Sequence, residues 1–190
     1  MTQTDVSQLV TAARRGDVEA FGELVKRYQS VIYGLVTRLV QGPEVAEELT
    51  QDAFVKAFKS LDSFRGDAKF STWLYRIAVN VCHDYNASVA ARMRRMETSL
   101  DRPESPVLGS RRESGPDQVV MTRRLHADFA RCLAGIPPGN RVAFVLRHQE
   151  GMDYKEIAQV LSISESNAKV RVHRARDAVL KGLREMGHEV

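Results

Sequence analysis

A chain of 190 residues with 43% hydrophobic and 27% charged content suffices for one ordinary domain or two small ones and can bury a core, which excludes a disordered polypeptide. Its apolar runs, such as residues 31–36, fall far short of the roughly 18–20 residues that cross a bilayer, and residues 1–15 lack the apolar core of a secretory signal, so a cytosolic location is expected. The net charge of +4 is uneven: residues 1–86 carry 10 basic and 11 acidic side chains and residues 87–190 carry 18 and 13, leaving the halves at −1 and +5.

Residues 7–15, 18–40, 45–61 and 72–90 repeat apolar positions every three or four residues, the period of an amphipathic helix. Gly16-Asp17 and Gly42-Pro43 separate the first three, residues 62–69 separate the third from the fourth, and Ser71 or Thr72 is placed to cap the fourth. No segment alternates cleanly enough for a strand. Residues 99–118 are rich in Pro, Ser, Gly, Arg and Asp, with Pro103, Pro106, Gly109, Gly115 and Pro116 interrupting any period. Such a stretch buries too little apolar surface to offset its ordering entropy, and a mobile linker is expected. Beyond it, residues 119–133, 141–148, 154–161 and 164–186 read as helices. The expected fold is all-α: two small helical domains, residues 1–95 and 119–190, joined by a flexible linker at 96–118.

The last two helices form the clearest motif. Ile157, Ala158, Leu161, Ile163, Ala168, Val172, Ala175, Val179 and Leu183 can meet on one side, so two helices pack across the short Ser162-Ile163-Ser164 connection. At 100° per residue this leaves Ser166, Asn167, Val170, His173, Arg174 and Asp177 outward, flanked by Lys169, Arg171 and Arg176. A second helix that projects bases from its N-terminal half is the element a helix-turn-helix lays in the major groove. Arg and Lys can bond guanine edges there and Val170 can meet a thymine methyl, while Arg171 and Arg176 suit phosphates. An ordinary amphipathic helix with a solvated basic face is the alternative; the short turn and the preceding Tyr154-Lys155-Glu156-Ile157-Ala158 weigh against it.

In the N-terminal half the distinctive stretch runs from Leu61 to Asn80, where Phe64, Phe70, Trp73 and Tyr75 alternate with Arg65, Lys69 and Arg76 around Gly66. Aromatic faces hold unstacked bases while Arg and Asn bond phosphates or base edges, a combination suited to single-stranded DNA. Alternatively Phe64, Phe70, Trp73, Leu74 and Ile77 simply form the core of a helical bundle, the reading physics alone prefers. Both can hold for different members of the stretch.

This stretch, the upstream Glu47-Glu48-Leu49-Thr50-Gln51-Asp52-Ala53-Phe54, and Ile157-Ala158 through Arg174-Ala175-Arg176 together closely resemble extracytoplasmic function sigma factors of the sigma-E type. The likeness covers nearly the whole chain outside the linker, in the same order of motifs. It implies a bacterial sigma subunit that joins core RNA polymerase and directs it to promoters, with region 2 and region 4 as its two helical domains. By that likeness Glu48, Gln51, Asp52 and Val55 dock the clamp helices of the polymerase beta-prime subunit, and region 4 meets the beta flap. Phe64, Arg65, Lys69, Trp73, Arg76 and Asn80 melt and read the minus-ten element, the loop before Thr72 receiving a flipped base. Ser166, Lys169, Val170, His173 and Arg174 approach the minus-thirty-five element as duplex, and Arg171 and Arg176 contact its backbone. The family also implies an anti-sigma factor that holds the protein inactive, at the membrane in some cases. Two positions depart from the pattern. Ser162 stands where the turn often has Gly, which makes a left-handed residue less comfortable there. Val170 stands where a small polar residue is frequent, so its base preference does not carry over.

No Walker loop, His-Glu-x-x-His or Cys-x-x-Cys is present, so no catalytic site, metal or cofactor is expected. His83-Asp84 reads as a surface pair. Cys82 and Cys132 read as small buried side chains, with a regulatory disulfide the weaker alternative. The rival functions are a self-contained DNA-binding regulator whose N-terminal bundle senses a ligand or dimerises, and a helical module that binds only proteins.

Overall fold

The computed structural model describes residues 5–98 and 117–189. Among them every regular element is helical: α1 (Val6–Arg14), α2 (Val18–Leu39), α3 (Pro43–Lys59), a 3-10 turn (Leu61–Ser63), α4 (Phe70–Thr98), α5 (Asp117–Ala134), α6 (Pro138–His148), α7 (Tyr154–Leu161) and α8 (Glu165–Glu185). Most of the linker expected from composition lies outside the described residues.

The helix starts follow from local chemistry. Asp5 and Asp17 accept from the backbone N–H of Ser7 and Ala20, at 3.2 and 3.0 Å. Pro43 and Pro138 open α3 and α6 at positions where a missing N–H costs nothing. Asp153 and Glu156 form a reciprocal capping box on α7, and the Ser164 hydroxyl accepts from Asn167 at the start of α8.

One cap differs from the sequence expectation. Helix α4 begins at Phe70, and the Trp73 N–H donates to the Lys69 carbonyl at 3.1 Å, so neither Ser71 nor Thr72 is the cap. Burial of Phe70 against Tyr28, Phe64 and Trp73 explains the earlier start. Helix α4 also runs on to Thr98, past the residue-90 end read from periodicity, and α5 begins at Asp117.

Helices α1–α4 bury Leu24, Ile32, Leu35, Val36 and Leu74, while α6–α8 bury Val145, Leu146, Ile157 and Val160. Each such side chain contributes about 1.5–3 kcal/mol relative to exposure. These belong to one continuous apolar cluster: α4 packs on α7 and α2 on α6, so the two domains close on each other. A second cluster, Leu133, Ile136, Phe144, Ala175, Val179 and Leu183, seals α5, α6 and α8. Beside it the buried Asp128 meets Arg131 Nη2 and His188 Nε2, each at 2.8 Å, and fixes the C-terminal tail to α5. The His188 hydrogen bond in particular holds the Asp128 carboxyl below its usual range, against the opposing effect of burial.

The turn between α7 and α8 uses Ser162 at φ 53°, ψ 46°, the left-handed conformation. Among the described residues it is the one non-glycine with positive φ. The discomfort expected of a serine is thus present, but the turn geometry is kept: Ile163 N donates to the Ala158 carbonyl at 3.0 Å.

Candidate nucleic-acid and polymerase interfaces

Helix α3 separates its faces cleanly. Ala46, Leu49, Ala53, Phe54 and Ala57 are buried, which turns Glu48, Gln51, Asp52 and Val55 outward together. Val55 is 50% exposed, and Phe58, one turn on, is 45% exposed with its ring edge-on to Phe21. An apolar pair beside three polar side chains is the composition of a protein-docking patch. The sequence reading missed Phe58; its spacing of three from Val55 was the available signal.

The stretch around Gly66 divides between core and site. Phe70, Trp73 and Leu74 are buried, Phe64 is half-buried, and Arg65, Lys69, Arg76 and Asn80 are exposed. Phe64, Phe70 and Trp73 form a ring cluster with centroids 5.3–5.7 Å apart. The packing reading therefore holds for Phe70 and Leu74, whereas Phe64 and Trp73 also wall a cavity of about 240 Å³. Ser63, Arg65, Gly66, Asp67, Ala68, Thr72 and Arg76 complete it from the same domain. Gly66, at φ 80°, supplies the sharp bend that lets the loop fold back over α4. The tenth lining residue, Gln159, comes from α7 of the other domain.

In α8 the buried stripe is Ala168, Val172, Ala175, Val179 and Leu183, as the helical period requires. Ser166, Lys169, Val170, His173, Arg174 and Arg176 are exposed. Arg171 is half-buried: its Nε donates to Asn167 Oδ1 at 3.3 Å, and its guanidinium lies over Gly139, where an added Cβ would oblige the arginine to shift. Arg176 leans on Asp177 at 3.2 Å.

Closure brings these surfaces together. Tyr75 Oη donates to Glu150 Oε2 at 2.6 Å, and Lys69 Nζ to Glu156 Oε1 at 2.8 Å. Burial and the Glu150 carboxylate push the Tyr75 phenol far above its usual pKa, and the Glu156 hydrogen bond raises Lys69. A cleft of about 900 Å³ opens between the domains, with Asn80, His83 and Asn86 on one wall and Arg141, Arg171 and Arg174 on the other. Its lining is largely apolar and includes no acidic side chain. Arg141 Nε is buried without a hydrogen-bond partner, and burial lowers the pKa of that guanidinium. Sequence patterning could not reveal Arg141, since its environment exists only once α4 and α6 are opposed.

Both cysteines are free; Cys82 is buried, which pushes its thiol up to about 12, and Cys132 is half-buried. Among the described residues no His, Cys, Asp and Glu side chains gather into a metal-binding group, and no helix is long and apolar enough to cross a membrane.

Residues 24–92 match the family model for sigma-70 region 2 and residues 126–179 that for sigma-70 region 4. The chain is 34% identical to the RNA polymerase sigma-H factor of Pseudomonas aeruginosa, covering 100% of this chain and 99% of that protein. It is 37% identical to the ECF RNA polymerase sigma-E factor of Escherichia coli K12, covering 90% of each. Its fold is similar to that of CnrH, solved with the cytosolic domain of CnrY, at a TM-score of 0.70 and 26% identity over 95% of this chain and 99% of that one. The sigma factor RpoE of Bartonella quintana, solved with the anti-sigma factor NepR, shares the fold at a TM-score of 0.63 and 22% identity over 86% and 96% of the two chains. On these matches to both regions and across the whole length, the chain belongs to the sigma-70 family of RNA polymerase sigma factors, in its extracytoplasmic function branch.

Proposed function

We propose that this sigma factor joins core RNA polymerase through α3, captures the melted minus-ten strand at the Phe64–Arg76 cavity, and reads the minus-thirty-five duplex with α8. The observation that carries this reading is the presence of two different DNA-reading surfaces on one chain. One is a cavity with aromatic walls flanked by exposed Arg65, Lys69, Arg76 and Asn80; the other is an exposed basic helix. A cavity suits an extruded base and a helix suits a major groove.

Melting then needs no nucleotide hydrolysis. Unstacking costs a few kcal/mol per base, and binding of the captured base together with phosphate contacts offsets it. Glu48, Gln51, Asp52 and Val55, with Phe58, face the polymerase clamp helices, while Lys169, Val170, His173 and Arg174 reach base edges beside backbone contacts from Arg171 and Arg176. The protein acts in the cytosol, where the polymerase is. An anti-sigma factor is its natural inhibitor, and the acid-free cleft with its three arginines fits an acidic amphipathic segment of such a partner.

Reconstitution with core polymerase tests the whole. Purified protein is expected to bind core and start transcripts at specific promoters, and Val55→Asp, an exposed site, to weaken core binding about tenfold or more without unfolding the chain. Failure to bind core, or to support transcription from any promoter of the cell, overturns the proposal.

A further inference from the structure

Helix α1 lies outside both DNA-reading surfaces, yet it walls a groove that reaches the Gly66 loop. Val6, Val10 and Arg14 stand four residues apart and so share one face of α1, with Ser7 and Thr11 beside them. That face meets Tyr28 of α2 and the loop from Phe64 into α4 around a cavity of about 510 Å³. Phe64, Arg65, Gly66 and Ala68 line this groove and also the cavity of about 240 Å³ read as the single-strand site. The loop is a partition shared by the two.

The groove repeats the chemistry of the smaller cavity. Tyr28, Phe64 and Phe70 give it an aromatic side, the Phe70 ring standing 5.6 Å from Tyr28 and 5.7 Å from Phe64. Arg14, Arg65 and Lys69 line it, all three exposed, and no acidic side chain does, whereas the smaller cavity includes Asp67. Cations beside aromatic faces form a path that tracks a single-stranded backbone. One of the three cations already holds an anion: Lys69 Nζ donates to Glu156 Oε1 at 2.8 Å. A carboxylate, with two oxygens and one negative charge, is the side-chain group most like a phosphodiester. A basic residue in the last turn of α1 also complements the helix dipole, which accounts for the charge of Arg14 but not for its place beside an aromatic, acid-free groove.

We propose that the groove between α1 and the Gly66 loop is a second nucleic-acid subsite, in which Arg14 binds the phosphate of a nucleotide next to the captured one. This rests on the reading of the smaller cavity as the single-strand site. A strand with one base seated there reaches the groove by crossing the shared Phe64–Gly66 wall. Its successive phosphates then pass from Arg65, which lines both cavities, to Arg14, which lines only the groove. A phosphate contact carries no sequence information, so Arg14 adds affinity and register without choosing a base.

The test measures minus-ten single strands binding to the full chain on core polymerase at several salt concentrations. The captured position is located as the one where an abasic site costs most. One strand then ends at that position, and two others extend it by a few nucleotides on the 5′ or the 3′ side. Arg14→Ala keeps the buried face of α1, Val10 and Ala13, so the fold is retained. It is expected to weaken one extended strand about three- to tenfold, to reduce the salt slope of that strand by about 0.7, and to leave the short strand unchanged. Arg14→Lys is expected to keep most of the affinity, because a point charge still meets the phosphate. Loss confined to one polarity also tells which side of the captured base crosses the loop. Equal binding of all three strands by Arg14→Ala and wild type, or an equal loss on the short strand, overturns the inference and leaves the promoter reading intact. Absence of any strand binding by wild-type holoenzyme overturns both.

Discussion

Tyr75 and Glu150 stand 75 positions apart in sequence, yet the Tyr75 hydroxyl donates to the Glu150 carboxylate at 2.6 Å and joins region 2 to the turn before α7. A hydrogen bond to a charged acceptor contributes about 1.5–3 kcal/mol, whereas the Lys69 ammonium of the Lys69–Glu156 pair stands in water, which screens its attraction. Tyr75 is therefore the stronger tether. Tyr75→Phe should shift the free chain toward an open form by roughly tenfold or more. A larger radius of gyration by small-angle scattering, and tighter binding of a minus-thirty-five duplex by the free chain, are the expected readouts. Identical scattering profiles would show that apolar packing alone holds the domains together.

The exposed residues of α8 should separate by role. Lys169→Ala, at an exposed position proposed to face a base, should cost about 1–3 kcal/mol on the preferred minus-thirty-five sequence and relax discrimination there. Arg176→Ala should weaken all sequences alike and reduce the salt slope by about one. Holoenzyme titrations of a consensus and a scrambled duplex at several salt concentrations distinguish the two. Equal behaviour of the two variants would remove the assignment of roles.

Ser162→Gly is expected to stabilise the protein. A left-handed residue with a Cβ costs about 1–2 kcal/mol, and the added chain entropy of glycine returns part of that gain. The net should be about 0.5–1 kcal/mol, a rise of a few degrees in melting temperature by calorimetry. Because Ser162 also borders the interdomain cleft, the same measurement on Ser162→Ala, which keeps the Cβ, serves as the control and should show no gain.

Acid should loosen the C-terminal tail first. The Asp128 carboxyl is held below its ordinary value chiefly by the His188 hydrogen bond, so the folded state binds its proton less readily than the unfolded chain. The stability it adds is complete above the unfolded carboxyl pKa of about 3.9 and disappears as pH falls through the lower folded value. Asp128→Asn should lower the melting temperature at pH 7 and flatten its dependence on pH below about 4. Hydrogen exchange at the ends of α5 and α8 should rise in the same variant. An unchanged acid limb would show that the Asp128–His188 contact does not hold the tail.

Much of the protein is legible in its sequence because helices and their caps are local. The three- and four-residue period of residues 168–183 fixes which side of α8 is buried, and with it which bases face outward. The order of the Glu47–Phe54, Leu61–Asn80 and Ile157–Arg176 motifs carried the family. Cap placement at α4 was not legible, since Ser71 and Thr72 both fit the local rule and only the burial of Phe70 against Tyr28, a residue of α2, chose the earlier start.

What the tertiary structure alone decided is where the two halves meet. Glu150 and Glu156 meet Tyr75 and Lys69 only when α7 lies against α4, and Gln159 borders the Phe64–Trp73 cavity only because it arrives from the other domain. Thr72 looks like a cap in one dimension and becomes a buried, unpaired hydroxyl in three. Local periodicity specifies a face. Which face it meets depends on side-chain fit and charge pairing across elements far apart in the chain, and no pattern within one helix encodes that.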